Sequence, residues 1–311
     1  MRAALRVGIA ALVVAGLPLV LRDFHVTLLT EATILGLLAM SLDLVMGYTG
    51  LVSFGHAAFF GIGAYTAALL LLHTRTPLPA VLGAALGVAA ALGAAIGTLA
   101  IRAQGIYFAM LTLALSEILY RAVWDWRSVT GGSDGLAGVT APPLALPGIT
   151  IPLASPRALF YFVALVAAAV YALCRGIVAS RYGRVLEAIR ENEQRCEFIG
   201  YDVRTYKLAT FTVSAALAGL CGALYAPFAG FASPELLAFS MSGKVIVMAL
   251  IGGLGTLVGP FAGGVFLTAL ESFVSQWVKN YIVVIGLTFV AMVLFFPAGL
   301  VGTVRQWRRA A

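Results

Sequence analysis

The sequence RYGRVLEAIRENEQRCEFIGYDVRTYK, residues 181–207, is a charged island between two long apolar runs. It holds six of the 20 basic residues and five of the 13 acidic residues of the chain. A charge at the centre of a bilayer costs roughly 2.5–3.5 kcal/mol on insertion scales. We therefore expect the charged island to lie in water beside a membrane, and the apolar runs on either side of it to cross that membrane.

The charged island has the pattern of an amphipathic helix. Val185, Leu186 and Ile189 form an apolar stripe, the charges are spaced for i,i+3 and i,i+4 pairs, and Gly200 provides a stop. Two interpretations stay open from the residues alone: a helix lying on the lipid surface, or a docking helix whose stripe is buried in a second protein. The candidate docking residues are Arg184, Leu186, Glu187, Ile189, Arg190, Glu191, Asn192 and Gly200.

The composition agrees with a membrane protein. Of the 311 residues, 61% are hydrophobic and only 11% are charged, which excludes the water-soluble classes. The net charge of +7 fits a bias of basic residues in cytoplasmic loops better than nucleic-acid binding. The three cysteines are widely spaced and suggest neither a disulfide framework nor a metal site. We expect residues 1–311 to form one transmembrane domain.

The apolar runs predict an all-α polytopic protein with about ten membrane-spanning helices, some of them short or broken. The count falls to eight or nine if the glycine-rich segments are re-entrant. Ten crossings place both termini and the charged island on one side, which then holds most of the basic residues and is cytoplasmic by the positive-inside rule. The predicted runs are residues 7–21, 27–46, 47–72, 77–101, 106–124, 158–178, 208–231, two segments between 245 and 277 that meet near 252–260, and 281–297.

Two polar breaks complete this picture. Residues 125–157 contain five prolines and cannot form one helix, so we expect an external loop there. Within it, TGGSDGL at residues 130–136 combines three glycines with Asp134, which suits an external mouth or gate; a simple turn remains the alternative. The second break, FASPELLAFSMSGK, precedes an apolar run that starts at Val245.

The sequence contains no motif that could drive transport or catalysis. The glycines of IGGLGTLVGP lie in an apolar run and lack the GxxxxGK[ST] pattern of a phosphate-binding loop. We therefore predict that the protein is not an enzyme and binds no cofactor or metal. If it moves a solute uphill, the energy comes from an ion gradient or from a separate ATPase.

Carboxylates inside predicted spans are the residues that would favour coupling to an ion gradient. Glu31 and Glu117 are expected to lie deep in the membrane, with Arg121 one turn away as a candidate partner of Glu117. Asp43 and Glu271 are expected near helix ends, within reach of water or headgroups. A structural hydrogen-bonding role is an equal alternative for each carboxylate, so gradient coupling is the weaker hypothesis.

Four stretches carry a resemblance to a known family: GYTGLVSFGHAAFFGIGAY at 47–65, LTLALSEILYRAVWDWRSVTGGSDGL at 111–136, the segment GRVLEAIRENEQRCEFIGYDVRTYKLATFTVSAALAGLCGALYA at 183–226, and IGGLGTLVGPFAGG at 251–264. They resemble the permeases of branched-chain amino acid ABC transporters, of the LivM type. The match departs from the docking pattern of the importer superfamily at one point, because Gln194, Arg195 and Cys196 stand where Glu-Ala-Ala is expected before Gly200.

The resemblance implies a subunit of an importer for branched-chain or other hydrophobic amino acids in the bacterial inner membrane. Its implied partners are a second homologous permease, two ATPase subunits that dock on the charged island, and a periplasmic binding protein. Related permeases handle urea, short amides or other amino acids, and these substrates stay open. The candidates for the translocation path or its gates are Gly47, Tyr48, Ser53, His56, Glu117, Thr130, Gly131, Gly132, Ser133, Asp134, Gly252 and Gly255.

Overall fold

The computed structural model describes residues 16, 18–74, 76–146, 149–296 and 298–303. These residues are mainly helical, which confirms the all-α prediction. The helices are α1 Asp23–Met46, α2 His56–His73, α3 Leu78–Ala100, α4 Ile106–Asp125, α5 Arg127–Thr130, α6 Pro156–Ala179, α7 Arg181–Glu191, α8 Glu193–Phe198, α9 Val203–Ala229, α10 Phe239–Gly252, α11 Val258–Val274 and α12 Tyr281–Phe295.

The few strands lie in the loops, together with two 3-10 turns at Gly132–Asp134 and Pro234–Leu237. Strand β1 (Leu136–Ala137) pairs antiparallel with β4 (Phe231–Ala232), while β2 (Leu144–Leu146) and β3 (Ile149–Ile151) form a hairpin. The register places Leu136 opposite Ala232 and Leu144 opposite Ile151. Residues 125–157 are therefore not one helix, as the prolines predicted.

Within the part of the chain that the structure describes, six helices are long and apolar enough to cross a membrane: α1, α2, α3, α4, α6 and α9. Three shorter apolar helices, α10, α11 and the middle of α12, follow them. These nine correspond to nine of the ten predicted runs. Nearly all of the first run, at residues 7–21, lies outside the described residues, as do both termini, so the total count and the side of the termini stay predictions.

Helix α1 is the central helix of the bundle. Its residues are buried without interruption from Ile34 to Val45, and α6, α9, α10 and α11 all pack against it. A helix that is apolar around its whole circumference requires such enclosure by other helices. The polar groups on α1 must therefore find partners inside the protein.

Helix α9 packs tightly against α2 and α3 at glycines. A methyl group on Gly63 would collide with the carbonyl oxygen of Gly219, and one on Gly222 would collide with that of Phe60. Small residues permit this close approach. It strengthens the dispersion attraction between the helices, which in lipid have no hydrophobic driving force for association.

Two boundaries differ from the prediction by six residues or more. Helix α10 begins at Phe239, six residues before the predicted Val245, and the preceding segment is not an exposed polar break because Pro234, Leu236 and Leu237 are buried. Leu237 packs against Gly61 of α2, where any side chain would collide with it. Residues 47–55 are not helical, so α2 begins later than the apolar run at 47–72 suggested. The predicted break between two short helices near 252–260 is confirmed, with α10 and α11 separated by residues 253–257.

The helices define two faces of the bundle. Helices α1 and α6 start together, where Arg157 lies 3.6 Å from Asp23, and α6 ends at the charged island. Helix α11 runs antiparallel to α1, because Gly264 packs on Gly36 while the start of α11 lies beside the end of α1. We call the end that carries α7 and α8 the island face and the other end the opposite face.

Candidate functional site

The charged island folds into α7 and α8 and is fixed to the start of α9. Ser180 caps α7 by accepting from the backbone amides of Tyr182 and Gly183, and Asn192 caps α8 by accepting from that of Arg195 at 2.9 Å. Side-chain caps of this kind satisfy amides that have no partner inside the helix. They explain why α7 and α8 start at these residues.

Tyr182 joins α7 to α9. Its hydroxyl donates to the carbonyl oxygen of Tyr206 at 2.9 Å and lies 2.8 Å from the hydroxyl of Thr210, and its ring stacks on that of Tyr206. Burial raises the pKa of Tyr182 above its usual value, so the phenol stays neutral. Lys207, with only 4% of its side chain exposed, pairs with Glu193 of α8 at 2.5 Å. The charged island is thus a rigid extension of α9.

The apolar stripe of α7 is buried within this chain. Leu186 is 0% exposed and Ile189 is 3% exposed, and Ile189 packs with Cys196 and Val203. The prediction that a partner protein covers this stripe was therefore wrong, because the stripe already covers the start of α9. The other predicted docking residues are exposed: Arg184, Glu187, Arg190, Glu191, Asn192 and Gly200.

An apolar tip at the end of α8 was missed by the sequence reasoning. Phe198 is 89% exposed and Ile199 is 68% exposed. They precede Gly200, whose φ of +93° lets the chain turn back towards α9. Two large apolar residues directly before a glycine stop, on a segment that is otherwise charged, were the signal that could have indicated this tip.

Arg190 connects the charged island to the end of α1. Its guanidinium donates to the carbonyl oxygen of Gly47, and its stem packs on Gly50. The last carbonyl groups of a helix lack partners within the helix and carry partial negative charge, so they favour a cation. Gly47, a predicted path residue, therefore lies at a junction between the charged island and the membrane helices.

Asp43 completes this junction from the inside of α1. Its side chain is 0% exposed, and its carboxylate accepts from the backbone amides of Gly255 at 2.7 Å and Leu257 at 3.0 Å. The expectation that water reaches Asp43 was wrong, because residues 253–257 close over the end of α1. Leu257 has a φ of +56°, the one positive value among the described residues other than glycine. The carboxylate thus holds the loop between α10 and α11 in an unusual backbone conformation.

Close packing of glycines keeps the junction compact. A methyl group on Gly47 would collide with the Asp43 carboxylate, and one on Gly252 would collide with the carbonyl oxygen of Gly259. Gly255 lies against the guanidinium of Arg190, 3.1 Å from the position that a side chain would take. The structure therefore brings the path candidates Gly47, Gly252 and Gly255 together with one docking residue. We call the group Asp43, Gly47, Arg190 and residues 253–257 the glycine junction.

A second polar cluster lies deeper in the bundle around His56, which is 1% exposed. Its Nε2 is 2.9 Å from the hydroxyl of Ser41 and 3.4 Å from that of Ser214, and the Ser214 hydroxyl donates to the carbonyl oxygen of Ser41. His56 thus ties α1, α2 and α9 together, which is a packing role. Two other path candidates, Tyr48 and Ser53, are also buried.

The segment at residues 130–136 is an ordered turn at the opposite face. The Thr130 hydroxyl donates to the carbonyl oxygens of Val123 at 2.6 Å and Trp126 at 2.8 Å. Gly131, Gly132 and Gly135 all have positive φ values, while Ser133 and Asp134 are exposed. The turn leads into β1, so it is tied through β4 to the start of α10. Its role as a gate stays a proposal.

Glu117 lies apart from all of these groups. It pairs with Arg121 at 3.4 Å, as its spacing suggested, but 47% of the Glu117 side chain and 66% of the Arg121 side chain are exposed. The possibility that the pair is internal to the bundle was wrong, because the two residues lie on the outer surface of α4. Among the described residues, no group of three or more His, Cys, Asp or Glu side chains is arranged to hold a metal ion.

Comparison with known proteins identifies the family. A family model described as "Branched-chain amino acid transport system / permease component" matches residues 24–296. The chain belongs to this permease family. The high-affinity branched-chain amino acid transport system permease protein LivM of Escherichia coli K12 is 30% identical over 297 residues, covering 86% of this chain and 68% of LivM. LivM of Salmonella typhimurium is 30% identical over 316 residues, covering 93% of this chain and 72% of LivM.

LivH of Salmonella typhimurium is 25% identical to this chain over 284 residues, covering 86% of this chain and 90% of LivH. The higher identity to the two LivM sequences agrees with the LivM type predicted from the four quoted stretches. No solved structure gives a significant match. The match of the family model spans α1 to α12, so it includes the charged island and the glycine junction.

Proposed function

We propose that this protein is a permease subunit of an ABC importer for branched-chain amino acids, and that α8 docks on the ATPase. Its relatives LivM and LivH are named as permeases for these substrates. The observation that carries the docking proposal is the apolar tip: Phe198 and Ile199 are 89% and 68% exposed, whereas Leu186 and Ile189 of the same segment are buried. An exposed apolar contact on a rigid, charged support favours insertion into a groove of a partner protein.

The charges around the apolar tip favour a protein over a lipid surface. Arg195, Glu197, Asp202 and Arg204 are all exposed beside it, two basic and two acidic. Helices that lie on anionic lipid carry an excess of Lys and Arg on their polar face. A balanced rim around an apolar centre is instead the usual arrangement of a protein interface.

The contacts of the charged island suggest how a docked ATPase acts on the path. Tyr182 and Lys207 fix α7 and α8 to α9, and Arg190 fixes α7 to the end of α1. Asp43 then links α1 to the loop between α10 and α11. A displacement of the apolar tip by closure of the ATPase subunits would therefore move the island-face ends of α1, α9, α10 and α11 as one unit.

The rest of the transporter follows from this proposal. The island face is cytoplasmic, both termini lie there, and the membrane is the bacterial inner membrane. A second homologous permease completes the path, two ATPase subunits supply the energy, and a periplasmic binding protein delivers the substrate to the opposite face near residues 130–136. Other amino acids, urea or short amides are the alternative substrates within the same family.

Two isoleucines ten positions apart test the docking surface. Ile199→Glu should leave the permease folded but release the ATPase, because removing an apolar contact of this size costs about 1.5–3 kcal/mol, or tenfold or more in affinity. Ile189→Glu, at 3% exposure, should instead destabilise the permease itself by placing a charge in a buried cluster. The measurements are copurification of the ATPase in detergent and thermal unfolding of each variant.

Phe231→Asp is the matched control, because Phe231 is a half-exposed aromatic residue on the opposite face. It should not change copurification. Unchanged copurification with Ile199→Glu would refute docking by the apolar tip. Uptake driven by a proton or sodium gradient in liposomes that contain this protein alone would refute the ABC importer and favour a secondary transporter.

A further inference from the structure

A pocket of about 330 Å³ lies between the first half of α1 and the second half of α11, towards the opposite face. Its polar lining includes Glu31, Thr268, Glu271 and Ser272, and Phe24 and Leu28 contribute an apolar wall. We call it the α1–α11 pocket. A volume of this size is at the lower end of the range for small-molecule sites. None of the junction residues described above belongs to it.

The charges around the α1–α11 pocket do not balance. Lys244 of α10 binds Glu271 at 2.5 Å, with 28% and 21% of the two side chains exposed. Glu31 is half-buried beside this pair and forms no ion pair or hydrogen bond with the part of the chain that the structure describes. The cluster therefore has two carboxylates and one ammonium group, and Glu31 lacks a cationic partner of its own.

Thr268 provides a second, independent observation. It is 3% exposed, it lines the α1–α11 pocket, and its hydroxyl has no hydrogen-bond partner among the described residues. Other threonines in these helices, such as Thr30, donate to the carbonyl oxygen four residues earlier. A buried hydroxyl without a partner costs free energy unless a ligand or water completes it.

We propose that the α1–α11 pocket binds the α-ammonium group of an amino acid during its passage through the membrane. Glu31 supplies the carboxylate that pairs with the ammonium group, and Thr268 supplies a hydroxyl oxygen that accepts from it. The apolar wall formed by Phe24 and Leu28 is positioned for a branched side chain. This inference rests on the proposed importer function and deepens it, since it names a residue set on the path that recognises the substrate.

The membrane environment supports a position on the path. Half-exposed carboxylates cannot face hydrocarbon without a large cost in free energy, and charged groups in membrane helices usually face a water-filled cavity or another helix. The open side of the α1–α11 pocket must therefore face water or the second permease. In the proposed importer, the interface where two permeases enclose a path would provide both.

The test uses Ser272→Cys in the complete transporter, made with its second permease, ATPases and binding protein. The three native cysteines of this chain are buried, so within this chain an impermeant methanethiosulfonate reagent added from the binding-protein side should label only the cysteine at position 272. Leucine and leucinol, which carry the ammonium group, should slow labelling. The deaminated analogue 4-methylpentanoate should not.

Adding Glu31→Gln or Thr268→Val should raise the leucine concentration for half-protection, by about tenfold or more for Glu31→Gln because a charged hydrogen bond is lost. Thr98→Val, on the exposed side of α3, is the control and should not change it. Equal protection by 4-methylpentanoate, an unchanged half-protecting concentration with Glu31→Gln, or no labelling would each overturn the pocket proposal. Copurification of the ATPase in these same samples would show that the importer proposal still stands, whereas its absence would overturn the importer proposal instead.

Discussion

Asp43 and Glu31 are two carboxylates on the same helix, about 18 Å apart along the axis of α1. Asp43 is completely buried, and two backbone amides satisfy it. Glu31 is half-buried in the α1–α11 pocket, and the described residues leave it without a hydrogen bond. A carboxylate that is fully paired fixes the structure, whereas one that is held half-open beside an unpaired hydroxyl is available for a ligand. The same helix thus has a fixed joint at one end and a candidate binding group at the other.

Removing the Asp43 carboxylate should produce the largest effect on stability. Asp43→Ala leaves the amides of Gly255 and Leu257 without an acceptor, and each buried unpaired donor costs about 1–3 kcal/mol, so the loss should be about 2–6 kcal/mol. The free energy of unfolding in mixed micelles measures it. A stability equal to that of the native sequence would show that the loop at 253–257 does not depend on this carboxylate.

A methyl group at Gly47 tests the same joint without removing a hydrogen-bonding group. Gly47→Ala places Cβ against the Asp43 carboxylate and the Gly255 amide, and overpacking of this kind costs about 1–3 kcal/mol. Gly243→Ala is the matched control, because Gly243 of α10 has open space around it and should tolerate a methyl group. Equal unfolding temperatures for the two variants would contradict the packing described for the glycine junction.

Arg190→Gln should destabilise the protein less than Asp43→Ala or Gly47→Ala. Its main effect should be on the coupling of ATP hydrolysis to uptake. The guanidinium contact with Gly47 is partly exposed, so its loss should cost about 1 kcal/mol. ATPase copurification should persist because the apolar tip is unchanged, while uptake per ATP hydrolysed should fall. Uptake and ATP hydrolysis measured on the same proteoliposomes separate these effects, and an unchanged ratio would exclude Arg190 from the coupling route.

Glu31→Gln should have the smallest effect on stability, within about 0.5 kcal/mol, because no described hydrogen bond depends on Glu31. Glu31→Gln should nevertheless lower leucine uptake more than Thr98→Val does. Thermal unfolding and uptake by the complete transporter measure the two quantities. A large drop in stability for Glu31→Gln would mean that Glu31 is a second structural carboxylate and would remove the contrast with Asp43.

The membrane helices and the charged island could be predicted from the sequence because length, apolar runs and charge spacing are local properties. The sequence could not predict which part of the protein, or which partner, covers the apolar face of each helix. The period of Leu186 and Ile189 shows that one side of α7 is apolar, but the sequence does not state whether the start of α9 or a partner covers it. The same limit applies to Asp43 and Glu117: position in an apolar run indicates depth along a helix, whereas burial depends on which helices surround it.

The broken segments were predictable only in part. The glycines near 252–260 indicated a break, and α10 and α11 do separate there. The early start of α10 was not predicted, because Pro234 and Glu235 are typical of a polar break. In the structure, Leu236 and Leu237 of this segment are buried and pack against α2. The position of Glu31 in the lining of a pocket could not be predicted, because the other wall of that pocket is formed by residues of α11, far along the chain.

The partners of Asp43 have a consequence for synthesis of the protein. Leu257 is 214 residues further along the chain, so at 5–20 residues per second the ribosome needs roughly 10–40 s to produce it. If α1 inserts while the chain is being synthesised, the Asp43 carboxylate lacks the amides of Gly255 and Leu257 during that interval. Asp43 lies in the last turn of α1, where a newly inserted helix can keep a charge in the hydrated headgroup layer. Asp43 is buried in the finished protein, but its position at the end of α1 allows its carboxylate to stay hydrated until residues 253–257 have been synthesised.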